Sequence, residues 1–308
     1  MHLTQSKNKH KPNPKEFATT LEFEAIGSHW QIDSLDLIPH AKQKAILQEI
    51  KQLTENFDRT YSRFRLDSLV STIAKKAGKY RLPSDAQPML DLYKKLYDVT
   101  DHAMTPLIGQ VMVDAGYDAA YSLQPKQLIT PPRWEDTLSY DFPYLTVKRP
   151  VLLDFGALGK GYLIDLISKL LQEANLRNFC VEAGGDMYYQ TTGGNQLRVG
   201  LEHPDDPSVV IGVAEIKNQS ICASAGNRRK WDKYHHMINP HTLSSPQEIK
   251  AIWVIANTAL EADALATSLF FVRPEVLGQD FSFEWVVMFA DSAVQYSANF
   301  PAELFITS

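Results

Sequence analysis

The chain has 308 residues, of which 44% are hydrophobic and 22% charged, and its formal net charge is −5. This is the balance of a globular protein with one large or two modest domains. It offers no general attraction for nucleic acid, and no apolar run is long enough to predict a membrane span.

The first segment, MHLTQSKNKHKPNPKEF, is basic. It has no apolar stretch, no small-residue cleavage site and no early cysteine for a lipid. We therefore expect a disordered tail over residues 1–18, one folded domain over 19–308, and a cytoplasmic protein as given. Residues 21–38 alternate loosely and predict a strand pair, with Gly27-Ser28 as a bulge or ligand-facing break. Pro39 precedes a helix expected from about Ala41 to Phe57, with Ile46, Ile50, Leu53 and Phe57 on one face. Arg63 and Arg65 alternate with aromatics in Tyr61-Ser62-Arg63-Phe64-Arg65. They suit an anionic aromatic ligand, and equally a solvated pair beside a core aromatic. Asp67 and Ser68 are cap candidates for a short helix.

A helix is expected from Ala86 to Val99, and a further helical piece carrying Gly109. Residues 121–150 are expected to be a long surface connection with one strand at Tyr144 to Lys148. Then comes the most organised stretch, Leu153 to Gln190. It predicts a strand, the glycine turn Gly156-Ala157-Leu158-Gly159-Lys160-Gly161, an amphipathic helix with Asp165 and Lys169 outward, a strand, and the tight turn Glu182-Ala183-Gly184-Gly185-Asp186. Glycines around one lysine at a helix start make a phosphate seat conceivable. The spacing is neither that of a Walker loop nor G-x-G-x-x-G. Gly193-Gly194 is expected to turn a hairpin. Strands follow at 197–201, 209–216, 220–225 and 249–255, with a helix at Ala259 to Phe271 and last strands near 285–289 and 297–300. Cys180 and Cys222, the only two cysteines, sit in apolar runs and are expected to be buried thiols. Many antiparallel strands with several long helices predict an α+β fold.

Two features bear directly on chemistry. Asp263 and Thr267 lie four apart and share a face of an otherwise apolar helix. A hard cation with oxygen ligands would compensate that buried carboxylate; a salt bridge or capping network would do so equally. His235-His236 is a structural pair or a site for phosphate contact or proton transfer, since unperturbed imidazole titrates near neutrality.

Six segments together resemble the ApbE-type FAD:protein FMN transferases: YSRFRLDS at 61–68, DFGALGKGY at 154–162, VEAGGD at 181–186, ASAGNRR at 223–229, HMINPHT at 236–242 and NTALEADALAT at 257–267. The resemblance runs from about residue 23 to 300. It implies a T-fold-like α+β enzyme with antiparallel sheets and packed helices. Such an enzyme uses FAD as substrate and Mg2+ as cofactor, attaches FMN to a threonine or serine of a target protein, and releases AMP. The alternatives it leaves are an FAD pyrophosphatase giving FMN and AMP, and a non-catalytic flavin-binding protein. By the same resemblance, the carbonyl of Ala157 and the side chains of Asp263 and Thr267 would hold the metal. Lys160 and Asp154 would lie against the FAD. Ile26 and Phe64 would line its pocket, with Ala103, Met104 and Thr105 nearby. Glu182 and Asp186 would orient the nucleotide, and His236 and Met237 match a binding segment. Asp263, His236 and Lys160 are the candidate catalytic residues. The chain departs from the family pattern at 26–28, 101–106 and 223–226, around ligand-facing loops.

Overall fold

In the computed structural model, residues 2–3, 17–227 and 229–307 are described. Most of the expected tail over 1–18 lies outside them. The organising element is an eight-stranded sheet: β1 (Thr19–Ala25), β2 (Ser28–Ser34), β3 (Phe179–Ala183), β4 (Asp186–Gln190), β5 (Gln219–Ala225), β6 (Ile249–Ala256), β7 (Glu284–Phe289) and β8 (Val294–Tyr296). Its spatial order is its chain order, and every neighbouring pair is antiparallel. The sheet is thus one long meander, and everything else is an excursion between consecutive strands.

Strict alternation lets this sheet bury both faces. On β6, Ile252, Val254 and Ala256 join the helical core, while Ala251, Trp253 and Ile255 face the opposite way. That second side is covered by a three-stranded sheet of Leu197–His203, Asp206–Ile216 and Ala302–Leu304. The two cysteines are free and buried, Cys180 toward the second sheet and Cys222 toward the helices.

The helical side carries α1 (His40–Tyr61), α2 (Ala86–Val99), α3 (Gly159–Glu173) and α4 (Ala259–Ser268). Helix α1 runs one turn past its expected end because Phe57 and Tyr61 both stay on the buried face. Helix α2 has the expected limits, and Ser68 caps the short helix Leu69–Ile73 by accepting from Ser71 N at 3.0 Å. No helix among the described residues is long and apolar enough to cross a membrane.

Several expectations fail. The strand expected just before the glycine turn does not form; residues 151–155 run into the turn without regular structure. Gly27-Ser28 is no bulge: with φ of 43° and 72°, Ile26 and Gly27 form the two-residue turn joining β1 to β2, and Ser28 opens β2 opposite Ala25. Gly193-Gly194 turns no hairpin, because β4 and Leu197–His203 belong to different sheets. Residues 121–150 are more than a connection: Leu138–Asp141 and Tyr144–Val147 form a hairpin that also pairs with Gly78–Arg81. That partner lies about sixty residues upstream, so no local pattern reveals it. The strand expected at 297–300 is displaced to its flanks, 294–296 and 302–304.

Candidate active site

The β1–β2 and β3–β4 turns leave the sheet at the same end, because Trp30 on β2 pairs with Ala183 on β3. The 226–248 loop leaves β5 there too. Helix α3 starts beside this end. The second turn needs its glycines: Gly184 and Gly185 have φ of 59° and 96°, the positive pair of a tight hairpin. It delivers Asp186 to the first position of β4. Asp186 Oδ1 accepts from Ala223 N on β5 at 2.8 Å, and Oδ2 meets Lys160 Nζ at 2.5 Å. Asp186 is only 1% exposed, so this charge depends on the lysine.

Helices α3 and α4 cross at Gly161. A Cβ there would sit 2.1 Å from Ala259 O, so only glycine permits the approach. Its bare N–H donates to Asp263 Oδ2 at 2.8 Å. Burial first, then the charge of Asp186, holds the Asp263 carboxyl well above the usual carboxylate range; Lys160 pulls the other way. Burial pulls the Lys160 ammonium down, but Asp186 and Asp263 outweigh it and leave its pKa raised. One turn along α4, Thr267 Oγ1 donates to Ala157 O at 3.3 Å and lies 3.4 Å from Ser224 Oγ on β5. The structure therefore brings together Ala157, Lys160, Asp186, Asp263 and Thr267, with Ser224 as a neighbour that the sequence reading did not single out.

The glycine turn is braced from behind. Asp154 accepts from Gly156 N at 2.7 Å and from Arg63 Nε at 2.5 Å. Tyr93 OH donates to Asp154 O at 3.1 Å. Arg63 also donates to Tyr117 O at 2.7 Å, and its guanidinium lies 4.1 Å from the Phe64 ring centre. Arg63 is buried in an ion pair, while Arg65 pairs with Asp58 and Asp67. Arg63 is thus not the solvated arginine that the alternation of arginines and aromatics also allowed, whereas Arg65 stays partly exposed. Phe64 stacks on Tyr121 with centroids 5.7 Å apart.

Other predicted residues take local roles. Ile26 is a half-buried turn residue packed on the helical core. Glu182 Oε1 accepts from Gly185 N at 2.6 Å, across its own turn. Ala103 and Met104 are buried, and Thr105 caps the short helix Pro106–Ile108 by accepting from Leu107 N at 3.2 Å. This segment adjoins the glycine turn, since Asp154 N donates to Pro106 O at 2.8 Å. Met237 is core. Asp165, expected outward, instead turns inward and accepts from Ala259 N and Leu260 N, each at 2.9 Å.

The two histidines divide. His235 is structural: its Nε2 lies 2.7 Å from Pro246 O and its N–H donates to Ser245 Oγ at 2.9 Å. His236 lies beside the charged cluster, and its buried Nδ1 has no hydrogen-bond partner among the described residues. Burial first, then Arg229, His235 and Lys160, lower its pKa to about 3, so the ring is neutral at physiological pH. The unfolded value is near 6.5, so between these two pKa values the unfolded chain binds more protons. The contribution to stability is fully present above pH ~6.5 and is lost as pH falls toward 3. His236→Gln should therefore remove up to about 2 kcal/mol of the stability lost between pH ~7 and ~5. Urea unfolding at both pH values checks this; an equal loss in both proteins would rule out His236 as the source.

An antiparallel α+β domain that gathers a lysine, two aspartates, hydroxyls and a neutral histidine around a glycine turn has the parts of a site for an anionic substrate. The chain belongs to the ApbE family, whose model matches residues 26–280. It is 27% identical over 303 residues to the FAD:protein FMN transferase of Escherichia coli (strain K12), covering 86% of this chain and 82% of that protein. The Treponema pallidum (strain Nichols) FAD:protein FMN transferase is 25% identical over 311 residues, with 89% and 85% covered. Among solved structures, the flavin transferase ApbE from Vibrio cholerae superposes with a TM-score of 0.76 at 20% identity, covering 92% of this chain and 97% of that one. The ApbE protein of Thermotoga maritima gives 0.75 at 22% identity, with 92% and 99% covered. These likenesses agree with the antiparallel α+β architecture.

Proposed function

We propose that this protein transfers FMN from FAD to a threonine or serine hydroxyl of a target protein, with Mg2+ as cofactor and AMP as the second product. The observation that carries this reading is the buried Lys160–Asp186 pair beside Asp263 at the glycine turn. It is supported by the similarity of this chain to FAD:protein FMN transferases over more than four fifths of their length.

The oxygen donors suit a hard cation: one carboxylate from Asp263, one hydroxyl from Thr267 and one carbonyl from Ala157. Among the described residues no group of three His, Cys, Asp or Glu side chains converges, so a cation here relies on the hydroxyl and carbonyl as well. When bound, magnesium supplies charge that offsets the pyrophosphate.

In the reaction, the acceptor Oγ forms a bond to the FMN phosphorus and the phosphoanhydride P–O bond breaks. AMP leaves with that electron pair. Lys160, held between Asp186 and Asp263, would offset the charge that develops on the phosphate oxygens. The hydroxyl proton passes to His236, whose Nδ1 has no hydrogen-bond partner among the described residues. Burial first, then Arg229, His235 and Lys160, keep that imidazole weakly basic in the unliganded protein. A bound pyrophosphate offsets the charge of Arg229 and Lys160 and so removes the part of the lowering that they cause.

The test is incubation with FAD, Mg2+ and a threonine-bearing acceptor protein. Covalent flavin on the acceptor, matched mole for mole by AMP, is expected. Asp263→Asn should lower the rate by roughly 10²–10³-fold. AMP with only free FMN would favour hydrolysis by the same pocket. No AMP, despite FAD binding, would sink the enzyme reading.

A further inference from the structure

Asp165 is a half-buried carboxylate that this chemistry does not use. It lies on α3 one turn after Gly161, and its two oxygens accept from the first two N–H groups of α4, Ala259 N and Leu260 N, each at 2.9 Å. The next free donor, Glu261 N, goes to Thr258 Oγ1 at 3.2 Å. A helix leaves its first N–H groups without internal partners, so the start of α4 is held mainly by a side chain from another helix.

The return contact lies one turn away on both helices: Gly161 N on α3 donates to Asp263 Oδ2 on α4 at 2.8 Å. Residues 161 and 165 are four apart, as are 259 and 263. Two reciprocal contacts one turn apart fix both the sliding and the rotation of α4 on α3. Between them the backbones meet without a side chain at Gly161.

We propose that Asp165 is a positioning residue for the reaction: by clamping the start of α4 it sets where Asp263 and Thr267 stand relative to the Ala157 carbonyl. The proposal rests on the functional reading above for its consequence in turnover. The clamp itself can be tested without turnover.

Asp165→Asn keeps the size and one acceptor, so one of the two hydrogen bonds survives. Asp165→Ala removes both. The full chain is used, with Leu171→Ala as a control that destabilises α3 from its buried face six residues beyond Asp165. Three quantities are measured: Mn2+ affinity by electron paramagnetic resonance, hydrogen exchange of residues 258–268, and kcat and KM for FAD. We expect Mn2+ affinity to fall about 10-fold in Asp165→Ala and less in Asp165→Asn. Exchange should quicken in the same order. The kcat should fall about 10- to 100-fold while KM for FAD stays within about 3-fold.

If Asp165→Ala does not fold, the Asp165→Asn comparison decides. Folded variants with wild-type Mn2+ affinity and exchange would overturn the proposal, as would an equal loss of Mn2+ affinity in Leu171→Ala. Should the wild type transfer no FMN while Asp165→Asn still loses Mn2+ affinity, the clamp stands and the functional reading falls.

Discussion

Gly161→Ala is expected to damage both stability and activity. The new Cβ would lie 2.1 Å from Ala259 O, 2.6 Å from Ala259 C and 2.7 Å from the Cβ of Asp263. Two of these atoms are backbone and the third begins a buried side chain, so none can swing aside. Helices α3 and α4 must part. Overpacking typically costs about 1–3 kcal/mol, and rigid neighbours put this site at the upper end. For a chain of this size the unfolding midpoint should drop by about 5 °C or more. FMN transfer should fall at least ~100-fold, because Asp263 loses its Gly161 N–H donor and moves with its helix. Gly194→Ala is the matched control, since nothing lies within 4 Å of a Cβ there and its φ is unexceptional. Thermal unfolding and AMP release check both variants. A wild-type midpoint for Gly161→Ala would refute the close crossing.

Arg63→Met is expected to give the largest loss of stability. The Arg63 side chain is 3% exposed and that of Asp154 is 14% exposed, so removing the guanidinium strands a largely buried carboxylate. Removing one member of such a pair costs about 3–5 kcal/mol. Tyr117 O loses a donor at 2.7 Å as well. The double variant with Asp154→Asn no longer buries a charge, and it should be less destabilised than the sum of the single variants by at least ~1 kcal/mol. Urea unfolding of the four proteins closes the cycle. Strict additivity would mean that the two groups do not sense each other. The pair also braces the glycine turn: Asp154 holds it by Gly156 N while Arg63 holds Asp154.

Much of the framework was legible in the chain. Helix α2 was read at its observed limits, Ser68 was read as a cap, and both cysteines were read as buried. The convergence of Ala157, Lys160, Asp186, Asp263 and Thr267 came from the family resemblance, and the geometry brings those residues together. Asp165 was misjudged for a definite reason. A helical period assigns polar residues outward, which holds when a helix buries one stripe. Helix α3 packs on both the sheet and α4, so Asp165 and Ser168 turn inward to bond backbone groups. Gly193-Gly194 misled for a similar reason: glycine pairs mark turns, and whether the flanking strands pair is settled elsewhere in the fold.

The sequence alone determined the alternation that lets each sheet strand bury two faces, the helix starts, and the glycines that allow positive φ at 184 and 185. Those properties depend on neighbours within a few residues. Tertiary structure alone decided that Gly161 is the crossing point of two helices, that Asp165 holds a helix start 94 residues away, and that Arg63 braces Asp154 across 91 residues. Each is a contact between distant segments. Its strength comes from excluding water and from fixing partners in place, conditions that exist only once the core has closed.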